Sequence, residues 1–199
     1  METLILDLHS KQELINYRKE HRLIKYEDGI LEEMIQAIEN NDADKLSWFT
    51  GFGDSLRAIF MNVHAYRKGC EFGFSEISFD KYGWFTRPVF MNREELMLGN
   101  PDKHSEHSTL YIGRGVLPVW TYGLNYSFGT AGGCFGLSVY GKQFKSRDEA
   151  ITKGLAELKD MMTAKINNTD TSNFKPEIIV ATLRDIVKAE LALVQLTLF

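Results

Sequence analysis

Apolar side chains return every three or four positions over the first third of the chain, a spacing that predicts amphipathic helices. In "SKQELINYRKEHRLIKY" Ser10 and Glu13 stand at capping-box spacing, and Leu14, Ile15, Arg18 and Arg22 follow at helical intervals. "DGILEEMIQAIENND" sets Ile30, Leu31, Met34, Ile35 and Ile38 on one stripe. A third helix is predicted to begin at Asp54 in "GDSLRAIFMNVHAYRKG", turning Leu56, Ile59, Phe60 and Val63 inward and stopping at Gly69.

The period then changes to two. In "VWTYGLNYSFGTAGGCFGLSVYGKQF" Trp120, Tyr122, Leu124, Tyr126 and Phe128 alternate with Thr121, Gly123, Asn125 and Ser127, which is strand spacing. "GTAGG" supplies the turn, and Phe135, Leu137 and Val139 resume the alternation on a return strand. Upstream, "CEFGFSEISFDKYGWFTRPVF" and "STLYIGRGVLPV" read as further strands, interrupted by a short helix near "NREELML". Downstream, Ser146 and Glu149 cap a helix whose Ile151, Leu155, Leu158 and Met162 suit the hairpin's heavy face. "NNTDTSNFKP" is a polar linker with Pro176 in a first helical turn, and a last helix follows with Ile179, Leu183, Ile186, Val187 and Leu191 on one stripe.

The expected fold class is therefore α+β, with a helical N-terminal third, a small antiparallel sheet whose β-hairpin is covered by a helix, and a C-terminal helix. The expected organisation is a single domain over residues 1–166, a linker over 167–176, and a helix with a tail over 177–199. No internal repeat or low-complexity block interrupts this order.

Composition narrows the classes. A 44% hydrophobic content suits a packed globule and opposes disorder. The net charge of −4 gives no global basic field. Residues 1–50 carry six Lys/Arg against eleven Asp/Glu, while residues 81–150 carry eight against six, so an anionic partner would meet the middle of the chain. Two cysteines, Cys70 and Cys134, are too few for a disulfide scaffold and point to a reducing compartment. With no basic leader and no long apolar run, the expected location is cytoplasmic, away from membranes.

Candidate chemistry is sparse. His104 and His107 stand three apart in "KHSEH", but no third ligand lies nearby in sequence, so no metal and no cofactor is expected. His64 reads as a core or helix-edge histidine, and Cys134, beside glycine and Phe135, as a small core residue. "GFGDS" and "GRG" lack the remaining residues of a phosphate cradle. With no catalytic residue to assign, the reading leans away from an enzyme. The second face of the hairpin is unusual, because Gly123, Asn125, Ser127, Gly136 and Ser138 are small or polar. Such a face admits another backbone or a base, and Tyr140, Lys142, Lys145 and Arg147 beside it form a candidate nucleic-acid surface. The competing reading is an ordinary solvated sheet face with glycines at bulges.

The chain closes on "QLTLF". Gln195, Leu196, Leu198 and Phe199 match the four defining positions of a short motif usually written QL(S/D)LF, with Thr197 in place of Ser or Asp. The segment resembles the peptide with which bacterial polymerases, repair factors and mobile-element proteins dock onto the β sliding clamp. The resemblance covers five residues of 199. It implies that Leu196, Leu198 and Phe199 fill a hydrophobic groove while Gln195 bonds at its edge. The alternative is that these side chains extend the last helix's apolar stripe or add an edge strand.

The function expected on this basis is that of a non-catalytic accessory protein of DNA replication, repair or a mobile element such as a phage or conjugative element, docked on the clamp. Two alternatives stand beside it. One is an inhibitor or counter-defence protein acting by protein contacts; the other is a nucleic-acid-binding module using the hairpin face.

Overall fold

Ser10 accepts a hydrogen bond from Glu13 N–H at 3.4 Å and starts α1 (Lys11–Glu20), as the capping pattern requires. The segment through Tyr26 is not one helix, however. Glu27 reaches back to the Ile24 N–H at 2.9 Å, so Lys25 and Tyr26 open α2 (Lys25–Glu39). The computed structural model describes residues 10–103 and 105–196, with the last residue as backbone only. The chain divides into two compact units, Met1–Pro88 and Val89–Phe199.

In the first unit, α3 (Ala43–Thr50) and α4 (Leu56–Glu71) complete the helices. Asp42 caps α3 through the Lys45 N–H at 3.0 Å. Eight residues without a full apolar period left this helix unread in the sequence. Leu14, Leu31, Met34, Phe49 and Val63 are fully buried in the shared core. The expected stop at Gly69 is corrected by the chain itself, because Gly69 lies buried inside α4. Gly73, at φ +85°, is the residue that ends the helix. Its N–H bonds Cys70 C=O at 2.9 Å and the Phe74 N–H bonds Gly69 C=O at 3.0 Å, the paired bonds of a Schellman cap. The first glycine after the apolar stripe therefore lies one turn before the glycine that ends the helix.

The second unit holds an antiparallel sheet in the order β1-β2-β3-β4, formed by β1 (Met91–Gly99), β2 (His107–Arg114), β3 (Trp120–Ser127) and β4 (Gly132–Phe135). The short helix expected near "NREELML" is absent, and those residues belong to β1. Leu96 and Leu98 sit opposite Leu110 and Ser108, so period-two burial against β2 outweighs the helix propensity of the Glu and Leu residues. Helix α5 (Arg147–Thr163) starts at the predicted Ser146 cap and buries Ile151, Leu155, Leu158 and Met162 against β2 and β3. Helix α6 (Pro176–Leu196) packs on β1 and α5 through Ile179 and Ile186. The fold is α+β, with α5 and α6 on the same face of the sheet.

One further sequence reading of this unit changes. Val187 and Leu191 were placed on the buried stripe of the last helix, but both are exposed, and α6 turns Ile178, Ile179, Thr182 and Ile186 inward instead. Within the 167–176 linker, Lys175 N–H bonds Phe128 C=O at 2.7 Å, and Ala131 N–H bonds Asn173 C=O at 3.1 Å. These bonds tie the segment to the β3–β4 turn. No described helix is long and apolar enough to cross a membrane.

Candidate functional site

The return strand of the hairpin is shorter than its alternation predicts, and the reason lies on the small-residue face. After Phe135 the chain leaves the ladder and crosses the sheet. A Cβ on Gly123 would stand 2.6 Å from Phe135 O and 2.9 Å from Leu137 N, so only glycine admits this crossing. A Cβ on Gly113 would stand 2.7 Å from Leu137 Cδ1 and 2.9 Å from Phe90 Cβ. Gly141 approaches Thr121 in the same way. The small side chains thus receive the protein's own backbone over part of the face.

Beside the crossing, the open sheet face keeps a concavity of about 420 Å³ lined by Arg93, Glu95, Tyr111, Asn125 and Cys134 among others. Cys134 is exposed there, not a core residue, because it sits on the edge strand β4 opposite Asn125. Arg93 and Glu95 escaped notice in the sequence because their segment reads as a helix. Their opposite charges leave the groove without a dominant sign.

The four residues of the expected nucleic-acid surface are drawn in different directions. Lys142 Nζ pairs with Glu157 on α5 at 2.9 Å. Arg147 grips Glu94 on β1 with two bonds, Nε to Oε1 at 2.8 Å and Nη2 to Oε2 at 2.6 Å, and also meets Asp148. Lys145 and Tyr140 have exposed side chains, and the Lys145 N–H bonds Glu149 Oε2 at 3.0 Å. A phosphate approaching Lys142 or Arg147 would compete with a carboxylate already in place.

Glu157 also accepts from the buried Tyr122 hydroxyl, giving a Tyr122, Glu157 and Lys142 network at the mouth of a second concavity of about 360 Å³. The Tyr122 hydrogen bond, aided by Lys142, holds the Glu157 carboxyl below its ordinary range against the opposing effect of burial. Burial, then the Glu157 contact, pushes the Tyr122 phenol up. At neutral pH Glu157 is therefore an ionised acceptor with both partners in place. It orders Tyr122 and Lys142 rather than standing ready to take a proton.

The histidines and the tail complete the inventory. His64 is half-buried and stacks on Tyr26 at 3.8 Å, and burial, followed by Lys68, lowers its pKa. His107 Nδ1 lies 3.0 Å from Lys103 O, while His104 lies outside the described residues. Among the described residues no three His, Cys, Asp or Glu side chains converge to hold a metal ion. Gln195 is exposed on the last turn of α6, where Leu191 is 59% exposed. The Leu196 side chain and Thr197, Leu198 and Phe199 lie outside the described residues. No protein-family model matches the chain, and no curated protein or solved structure is similar to it.

Proposed function

We propose that this chain is a non-catalytic accessory protein of DNA replication, repair or a mobile element, which docks on the bacterial sliding clamp through Gln195, Leu196, Leu198 and Phe199. The observation that carries the reading is the match of these four residues to the clamp-binding motif, next to an exposed turn of α6. Gln195, the first residue of the motif, is exposed, as is Leu191 one turn before it.

Geometry adds a requirement. At about 100° per residue, positions 196 and 199 of a continued helix share a face, while position 198 points away from it. One groove can receive all three side chains only if the last turn opens. That opening is inexpensive, since the final carbonyls of a helix have no intrahelical donors in any case. Each apolar side chain then contributes roughly 1.5–3 kcal/mol by burial, less the cost of ordering the tail, which suits a micromolar contact.

The test is a pull-down from bacterial lysate with the full chain and with a chain ending at Val194. The proposal expects the clamp to be retained by the first and lost by the second. Equal retention by both, or none by either, contradicts it.

A further inference from the structure

Residues Phe79 to Phe85 of the first unit form a small hairpin that is far better anchored than its size requires. Asp80 N–H bonds Trp84 C=O at 2.8 Å, and Gly83 N–H closes the turn on Asp80 C=O at 3.0 Å. Gly83 sits at φ +80°, and Asp80 Oδ1 accepts from the Tyr82 and Trp84 N–H groups at 2.8 and 3.0 Å. This is the chemistry of a three-residue loop closed by a left-handed glycine.

A buried side chain fixes the loop from beneath. Asn62 of α4 is 2% exposed; its Nδ2 donates to Phe52 O at 2.7 Å and Gly83 O at 2.9 Å, and its Oδ1 accepts from Phe85 N–H at 2.9 Å. Phe85 packs toward Tyr66 and Phe79 toward Phe52. The anchoring uses those two rings and leaves two others outside. Tyr82 is 72% exposed and Trp84 42% exposed. The hydrogen bonds that close the loop use the backbone groups of both residues, and large exposed aromatics on a rigid support are characteristic of contact surfaces.

We propose that this hairpin is a docking tip for single-stranded nucleic acid, with Tyr82 and Trp84 stacking on bases while Lys81 and Arg87 meet phosphates. Lys81, beside the exposed Tyr82 ring, suits this occupant. Between Phe79 and Arg87 there are two cations and one acid, and that acid, Asp80, has an oxygen committed to the turn. Lys81 Nζ stands 4.9 Å from the Tyr82 ring centroid, which covers one ring face and leaves the other for a base. An aromatic with a cation beside it is the sequence-tolerant unit of single-strand binding. Few phosphates are engaged, so the complex is weak and sensitive to salt.

The inference does not depend on clamp docking, and its assay contains no clamp, so the two readings fail separately. Fluorescence anisotropy of a labelled oligothymidylate, titrated at low salt with the full chain, reads the complex. Tyr82→Ala should weaken it by about fivefold or more, while Tyr82→Phe, which keeps the ring, should bind like the unaltered chain. Lys81→Gln should reduce the slope of log affinity against log salt by about 0.7. Oligonucleotide should quench tryptophan emission in the unaltered chain and not in Trp84→Phe. No binding at low salt, or binding indifferent to both Tyr82→Ala and Trp84→Ala, overturns the proposal. So does a protein complex lost in Tyr82→Ala when the oligonucleotide does not bind, which would make the tip a protein contact.

Discussion

Gly123 and Gly136 stand on the same crossing of the chain and should respond oppositely to one methyl group. Gly123→Ala places a Cβ 2.6 Å from Phe135 O, a backbone atom that cannot swing away, whereas a Cβ at Gly136 meets nothing within 4 Å. Urea denaturation should show a loss of about 1–3 kcal/mol for Gly123→Ala and a change within about 0.5 kcal/mol for Gly136→Ala. Equal effects would mean that the crossing does not hold the sheet face as described. Asn62 is the polar counterpart. Its amide satisfies two carbonyls and one N–H, so Asn62→Ala strands three backbone groups and should cost at least about 2 kcal/mol by thermal or urea denaturation. None of these roles is visible in the sequence, because a glycine or an asparagine takes its meaning from what the chain later brings against it.

At the scale of elements, legibility followed the strength of local signals. The α5 cap at Ser146 and its stripe from Ile151 to Met162 were readable because capping and period agree. β1 was misread because Glu94, Glu95, Leu96, Met97 and Leu98 favour a helix locally, and only pairing with β2 turns them into a strand. The α6 stripe was misplaced by part of a turn because Val180, Val187 and Leu191 are apolar yet exposed, giving the helix two competing apolar faces. The ion pairs between elements carry a pH prediction. Hydrogen bonds from Arg147 hold Glu94 below the ordinary carboxylate pKa, those from Tyr122 and Lys142 do so for Glu157, and those from Arg67 do so for Glu33. Their contribution is present above the unfolded value of about 4.3 and is lost as pH falls through the lower folded values. Melting temperature should therefore drop as pH is lowered from 5 toward 3. Arg147→Ala should flatten part of that drop at a cost of about 1 kcal/mol or less, as for partly exposed pairs.

For the molecule as a whole, the candidate site was legible only where chemistry is written in consecutive residues. The "QLTLF" segment can be read directly because a linear peptide needs no fold to define it. The hairpin cations could not be judged the same way, since Glu94 and Glu157, which engage Arg147 and Lys142, lie 53 and 15 residues away. If the tail is a ligand and not part of a core, deleting residues 195–199 should change stability by less than about 1 kcal/mol in thermal denaturation. The most direct test of the docking account is calorimetric titration of the full chain into purified bacterial sliding clamp, alongside the Leu198→Ala/Phe199→Ala double variant. The account predicts saturable binding with Kd on the order of micromolar for the unaltered chain and none for the variant. Absence of binding by the unaltered chain, or equal binding by the variant, would contradict it.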